Sequence, residues 1–326
     1  MLSRIAEALY WMGRYLERAD DTARLLDVYV HRMVVQAHDP HVGESLLAAM
    51  GLDPVELAVV RDQQDGPIDL WKAIELLAYD ADNPSSVVGS LRLARENARG
   101  LREILATEVW EALNRTYHEL DNHVRAARTL GPHLLFQWVR DRVALVGGLT
   151  DTVLLHDDGW RFLTIGRSLE RVDMTARLLG AVPETADASR WSGVLVSCGA
   201  NDAFLRTYGG DIDKARALSV LLLDPDFPRS VNYALAQAEQ CLDQVDGGAR
   251  LTSNGRRQAH PQVSAAAREV GRIRAELAYT DPVVLAQDLP ATVSRLQQAC
   301  AHASELVTQR YFQRVAFIEW NVDVGA

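Results

Sequence analysis

Along most of this chain apolar residues recur at three- and four-residue spacing, and almost no stretch alternates apolar with polar in the two-residue rhythm of a half-buried strand. The intervening positions are rich in Ala, Leu, Arg and Glu, residues that give up little freedom in a helix. The pattern predicts an all-α protein. Helices are expected at about 3–37, 44–50, 54–63, 69–80, 85–104, 107–130, 132–155, 159–180, 190–199, 202–208, 213–222, 228–246, 260–279 and 288–315. Pro54, Pro84, Pro132, Pro228, Pro261 and Pro282 fall near starts or connections, where a missing N–H costs least, and 246–257 reads as loop.

Superimposed on the helical rhythm is a repeat. "GRYLERADDTARLL" from Gly13 returns as "GRSLERVDMTARLL" from Gly166, with eleven of fourteen residues unchanged. "ESLLAAMG" at 44–51 resembles "SGVLVSCG" at 192–199, and "DADNPSSVVGSL" at 80–91 resembles "DPDFPRSVNYAL" at 224–235. Three matches in one order predict a tandem duplication inside a single domain spanning 1–326, with halves of about 1–155 and 156–326 packed about a pseudo-two-fold axis. Asp80, Asp82, Asp224 and Asp226 suit helix entrances, with Ser85 or Ser86 and Ser230 as capping hydroxyls.

At roughly 100° per residue, Gly13, Glu17, Asp20 and Arg24 share one stripe of their helix, and Gly166, Glu170, Asp173 and Arg177 share its counterpart. Arg14, Arg18, Arg167 and Arg171 occupy the neighbouring face. A glycine inside each helix, costly relative to Ala, marks a place where another backbone or a ligand comes close. Three readings are open: a polar joint in which the copies exchange Arg–carboxylate bridges; an internal pocket for a charged ligand; or a carboxylate metal site of Glu17, Asp20, Glu170 and Asp173. The last lacks the histidines such sites use, and no metal or other cofactor is expected. Only the first half continues into an arginine stripe, Arg92, Arg95, Arg99 and Arg102, which either receives the Glu17 and Asp20 carboxylates or forms an anion site.

Other features narrow the function by exclusion. In "HELDNH", 118–123, the second histidine is at i+5, where it cannot share a metal with His118. No phosphate loop, dinucleotide fingerprint or hydrolase elbow is present. Trp11, Trp71, Trp110, Trp138, Trp160, Trp191 and Trp320 read as core. A formal net charge of -10 argues against nucleic-acid binding. The apolar runs are too short for a membrane span, and the N-terminus, interrupted by Arg4, Glu7 and Arg14, is not a signal peptide. Three scattered cysteines suit a reducing cytoplasm.

The stretches "MLSRIAEALYWMGRYLERADDTARLLDV", "NPSSVVGSLRLARENARGLREIL…VWEALN" and "FLTIGRSLERVDMTARLL" resemble the bacterial alpha-E family, helical proteins named for a Glu-Arg motif, here Glu17-Arg18 and Glu170-Arg171. The resemblance runs from Met1 to about Trp320. It implies association with circularly permuted ATP-grasp proteins and transglutaminase-like proteins, beside which family members are encoded or to which they are fused. The expected role is therefore a cytoplasmic accessory protein of an amide- or peptide-bond-forming system, binding the ATP-grasp protein or a peptide-like product. The alternative is an enzyme with Glu17 and Glu170 as acid/base groups, which requires at least one of them in an open pocket with a raised pKa.

Overall fold

The first helix is amphipathic over more turns than one partner can cover: Leu9, Tyr10, Met12, Leu16, Ala19, Ala23 and Leu26 are all buried, and they point to different sides. Such a helix belongs at the centre of a bundle. In the computed structural model, which describes residues 3–35, 41–52, 54–62, 67–247 and 264–312, it lies there. The α-helices in chain order are α1 (Ser3–Val35), α2 (Val42–Ala49), α3 (Pro54–Asp62), α4 (Leu70–Ile74), α5 (Val87–Arg99), α6 (Thr107–Leu130), α7 (His133–Val153) and α8 (Asp158–Gly180). They continue with α9 (Ala188–Ser197), α10 (Asn201–Tyr208), α11 (Lys214–Leu218), α12 (Val231–Gly247), α13 (Ala265–Ala278), α14 (Pro282–Gln287) and α15 (Leu289–Val307). No strand occurs among the described residues.

Helix α1 packs most extensively on α8; α5 and α7 lie against α1, and α12 and α15 against α8. Helix α6 backs α5 and α7, while α13 backs α12 and α15. What lets α1 and α8 touch backbone to backbone is one glycine on each. A Cβ at Gly13 would collide with the carbonyl oxygen of Leu163, and one at Gly166 with that of Tyr10. The close neighbour expected at these glycines is thus the partner helix itself.

Two short helices, α4 and α11, each widen into a π-helical turn, Glu75–Tyr79 and Ser219–Leu223. The turns end at Asp80 and Asp224, whose carbonyl oxygens accept the hydroxyls of Ser86 and Ser230. Those serines also cap the next helix, accepting from Gly89 N at 2.9 Å and Tyr233 N at 3.0 Å. The aspartates do not cap a helix as expected. Asp80 Oδ1 accepts from Asp82 N at 3.0 Å and Asp224 Oδ1 from Asp226 N at 2.8 Å, closing the turns that precede the caps.

Several boundaries differ from the periodicity. The helix expected over 85–104 stops at Arg99, because Gly100 follows and Leu101 and Leu105 turn into the core. Helix α14 was not anticipated: six residues are too few to show a period, although Asp281 caps Val283 N at 2.8 Å with Pro282 in the first turn. Of the tryptophans, Trp191 is buried, but Trp71 is 52% exposed and so is not core. Trp320 and nearly all of the 246–257 loop lie outside the described residues.

Candidate functional site

With α1 and α8 in backbone contact, the residue four positions after each glycine, Glu17 or Glu170, faces the opposite helix. Arg171 donates from Nε and Nη2 to the two oxygens of Glu17 at 2.6 and 2.7 Å. Arg18 donates from Nε and Nη2 to the two oxygens of Glu170 at 2.5 and 3.1 Å, and Arg14 Nε adds a third bond at 2.7 Å. Each helix therefore grips the other's glutamate with a forked guanidinium, an arrangement that fixes register because the planar fork and carboxylate match only in one alignment. Asp20 and Asp173 take no part in that exchange; they bond along their own helices to Arg24 and Arg177, each at 2.8 Å.

Both glutamates are almost wholly buried. Desolvation alone would raise their pKa values, yet the guanidinium charges and hydrogen bonds outweigh it and hold both carboxyls below the ordinary glutamate range. They are fixed anions, not proton donors. Since both oxygens of each glutamate are engaged by guanidinium, the four-carboxylate metal arrangement is not assembled here.

One residue of the site escaped the sequence reading. Arg229 reaches from the turn before α12 to Asp20 Oδ2 at 3.0 Å, to Asp21 Oδ1, and to within 3.7 Å of Glu17 Oε1, while its Nε donates to Cys198 O at 2.9 Å. Glu17, Asp20 and Asp21 bring ligand oxygens within 4.8 Å of one another, and the Arg229 guanidinium contacts all three, the role a cation would play. Its signal was a difference inside the repeat: Arg229 follows Pro228 where Ser85 follows Pro84. Asp21 is the loser in this crowd. Burial, helped by the negative charges of Glu17 and Asp20, pushes its carboxyl up to about 7 despite Arg229.

The two ends of the joint are finished differently. Around Glu170, Arg14 Nη1 donates to Tyr10 Oη and to Ser304 Oγ of α15, both at 3.1 Å. Arg167, the counterpart of Arg14 in the repeat, makes no hydrogen bond to a glutamate of the joint; its hydrogen bond among the described residues is a 3.4 Å contact with Asp151. Beside it, between α1, α7 and α8, lies a cleft of about 240 Å³ lined by Glu17, Asp20, Arg24, Arg167, Arg171 and Arg229, with Gly147 and Gly148 of α7 on its far wall.

The arginine stripe of α5 is elsewhere. Arg92 bonds Asp121 at 3.1 Å, Arg95 bonds Asn114 at 3.3 Å, and Arg99 lies 3.3 Å from Glu96. Arg95 also stacks on Tyr117 and Arg102 on Trp110. None meets Glu17 or Asp20, because local acids and aromatics on α5 and α6 satisfy the stripe first. His118 is exposed and His123 stacks on Trp138, so the two histidines of "HELDNH" face different surroundings on α6.

The described residues thus define an all-α protein centred on a reciprocal, buried Glu-Arg joint with a cleft beside Glu17. The chain belongs to the alpha-E family, described as a predicted alpha-helical domain with a conserved ER motif, which it matches over residues 1–312. It is also 28% identical over 268 residues to an uncharacterised protein of Mycobacterium bovis and to two uncharacterised proteins of Mycobacterium tuberculosis. Those matches cover 75% of this chain and 30% of each relative, so the chain spans about a third of the length of the curated relatives it matches. No solved structure matches it significantly.

Proposed function

We propose that the protein is a non-catalytic binding and accessory protein of an amide- or peptide-bond-forming system, acting in the cytoplasm with a circularly permuted ATP-grasp protein and, in some settings, a transglutaminase-like protein. The partners follow from the family resemblance. The non-catalytic reading is carried by one observation: both motif glutamates are bridged by guanidinium and kept ionised. An amide-cleaving site would need one of them protonated or poised near neutrality. We also infer that α1–α7 and α8–α15 descend from one duplicated unit related by a two-fold axis. Support comes from the reciprocal glycine contacts, the exchanged ion pairs and the matched π turns with their serine locks.

Co-purification of the full chain with the circularly permuted ATP-grasp protein of the same genome tests the partnership. Wild type is expected to retain it, and Glu17→Gln and Glu170→Gln to weaken retention only as far as they lower the melting temperature. Failure of well-folded wild type to retain the partner contradicts the proposal. A variant that keeps the partner and the fold but abolishes product favours the catalytic alternative.

A further inference from the structure

Two places in the bundle are built alike and closed differently. Helices α4 and α11 share an entrance, Asp69 capping Lys72 N and Asp213 capping Arg216 N, both at 2.9 Å, and each runs into its π turn. Above α11 the covering helix is broken. Helix α13 ends at Ala278, and Pro282, which lacks an N–H and disfavours helix in the residue before it, restarts the chain as α14. The break lets α14 pack on α11, where Leu285 is 1% exposed. Helix α6, which backs α5 and α7 as α13 backs α12 and α15, contains no proline and runs unbroken to Leu130.

The end of α6 therefore does not settle on α4 as α14 does on α11. Between them lies a groove of about 690 Å³, lined by Trp71, Lys72, Glu75, Tyr79, Arg128 and Leu130. That volume falls within the roughly 300–1,000 Å³ of ligand-sized clefts. Arg128 ties the two sides together, bonding both oxygens of Glu75 at 2.7 Å and lying 4.4 Å from the centre of the Tyr79 ring. This brace fixes the width of the groove without filling it.

The unfilled walls are apolar, and the charges balance. Trp71 is 52% exposed and Leu130 70%. Trp71 and Ala215 each stand four residues before the π turn of their helix, so a half-exposed indole takes the place of a methyl. Tryptophan, tyrosine and arginine are the side chains that most often anchor an interface, and Trp71, Tyr79 and Arg128 all line the groove. Its two acids, Asp69 and Glu75, are matched by its two bases, Lys72 and Arg128. The segment that closes the other site has the same character: Pro282–Gln287 carries no charge and buries one leucine.

We propose that this groove docks a short uncharged helix of a partner protein, which seats an aliphatic side chain against Trp71 and Leu130. The contact is the one that α14 makes on α11, supplied by another molecule. A strongly charged segment is disfavoured, because the groove holds no spare charge to pair with it. The assignment rests on reading the protein as a binder, and it gives that binding a surface and a kind of partner.

Fluorescence anisotropy on the isolated full chain tests it without any partner. The probe is a fluorescein-labelled peptide of residues 281–289, held helical by a staple between positions 283 and 287, which are exposed in α14. Wild type is expected to bind it saturably, and at least tenfold more tightly than Trp71→Ala or Leu130→Glu. Both substitutions fall at exposed positions and are expected to leave the melting temperature within a few degrees of wild type. The stapled peptide carrying Leu285→Ala is also expected to bind at least tenfold more weakly. No saturable binding to wild type, undiminished binding to folded Trp71→Ala and Leu130→Glu, or indifference to Leu285→Ala would overturn the proposal. So would a dimer in sedimentation velocity that Leu130→Glu dissolves, since a second copy would then fill the groove. Peptide binding intact, with the ATP-grasp partner not retained in co-purification, would count against that partnership alone.

Discussion

A glutamate surrounded by guanidinium has given up the chemistry that glutamates usually offer. Removing one member of a buried pair strands its partner's charge, at a cost of about 3–5 kcal/mol. Glu170→Ala strands both Arg14 and Arg18 and is expected to fall at the upper end of that range in urea unfolding. The double variant Arg18→Ala, Glu170→Ala is expected to lose less than the two single losses added together, since the side chains share one interaction. Proton linkage divides these acids into two groups with opposite signs. Glu17 and Glu170, depressed in the folded state, contribute stability above the ordinary glutamate pKa and lose it as pH falls. Asp21, raised from 3.8 to about 7, contributes most below the lower value and loses its contribution as pH rises through the upper. Thermal melts of Asp21→Asn against wild type check the sign: the variant's melting temperature relative to wild type is expected to increase from about pH 5 to about pH 8.5. A difference that stays flat or declines would show that Arg229 keeps Asp21 ionised throughout.

At the scale of helices, four glycines in two pairs divide by what surrounds them. Gly13→Ala drives a methyl into the carbonyl of Leu163 and is expected to cost about 1–3 kcal/mol or more, with the α1–α8 joint forced apart. Gly148→Ala meets open space and is expected to stabilise by up to about 1 kcal/mol, both read from denaturant midpoints. Much of this level was legible beforehand. The three- and four-residue spacing revealed the long helices, and the repeated glycines announced a close approach. What stayed hidden depends on neighbours distant in sequence. The widening of α4 and α11 into π turns leaves no mark on apolar spacing. Helix α14 is shorter than two turns, so that Pro282 marks a start or a connection in the sequence without showing which. Arg229 was visible as a departure from Ser85, but nothing near it in sequence says that it reaches Asp20 and Asp21 on α1. The cleft needs α1, α7 and α8 assembled before it exists.

For the molecule as a whole, the alpha-E assignment and the all-helical bundle agree, and among the described residues no helix is long and apolar enough to cross a membrane. The two ends of the Glu-Arg joint differ in their surroundings. Of the pair Arg14 and Arg167, the first is held by Tyr10 and Ser304, and the second lines a cleft. The whole account depends on the motif glutamates being permanent anions. Following the side-chain carboxyl carbons of Glu17 and Glu170 by NMR through an acid titration measures this directly, with Glu17→Gln and Glu170→Gln supplying the assignments. Both carboxyls are expected to remain ionised until the pH lies below the usual glutamate value of about 4.3; a Glu17 carboxyl that takes up its proton near neutrality would contradict the account and restore it as an acid/base group.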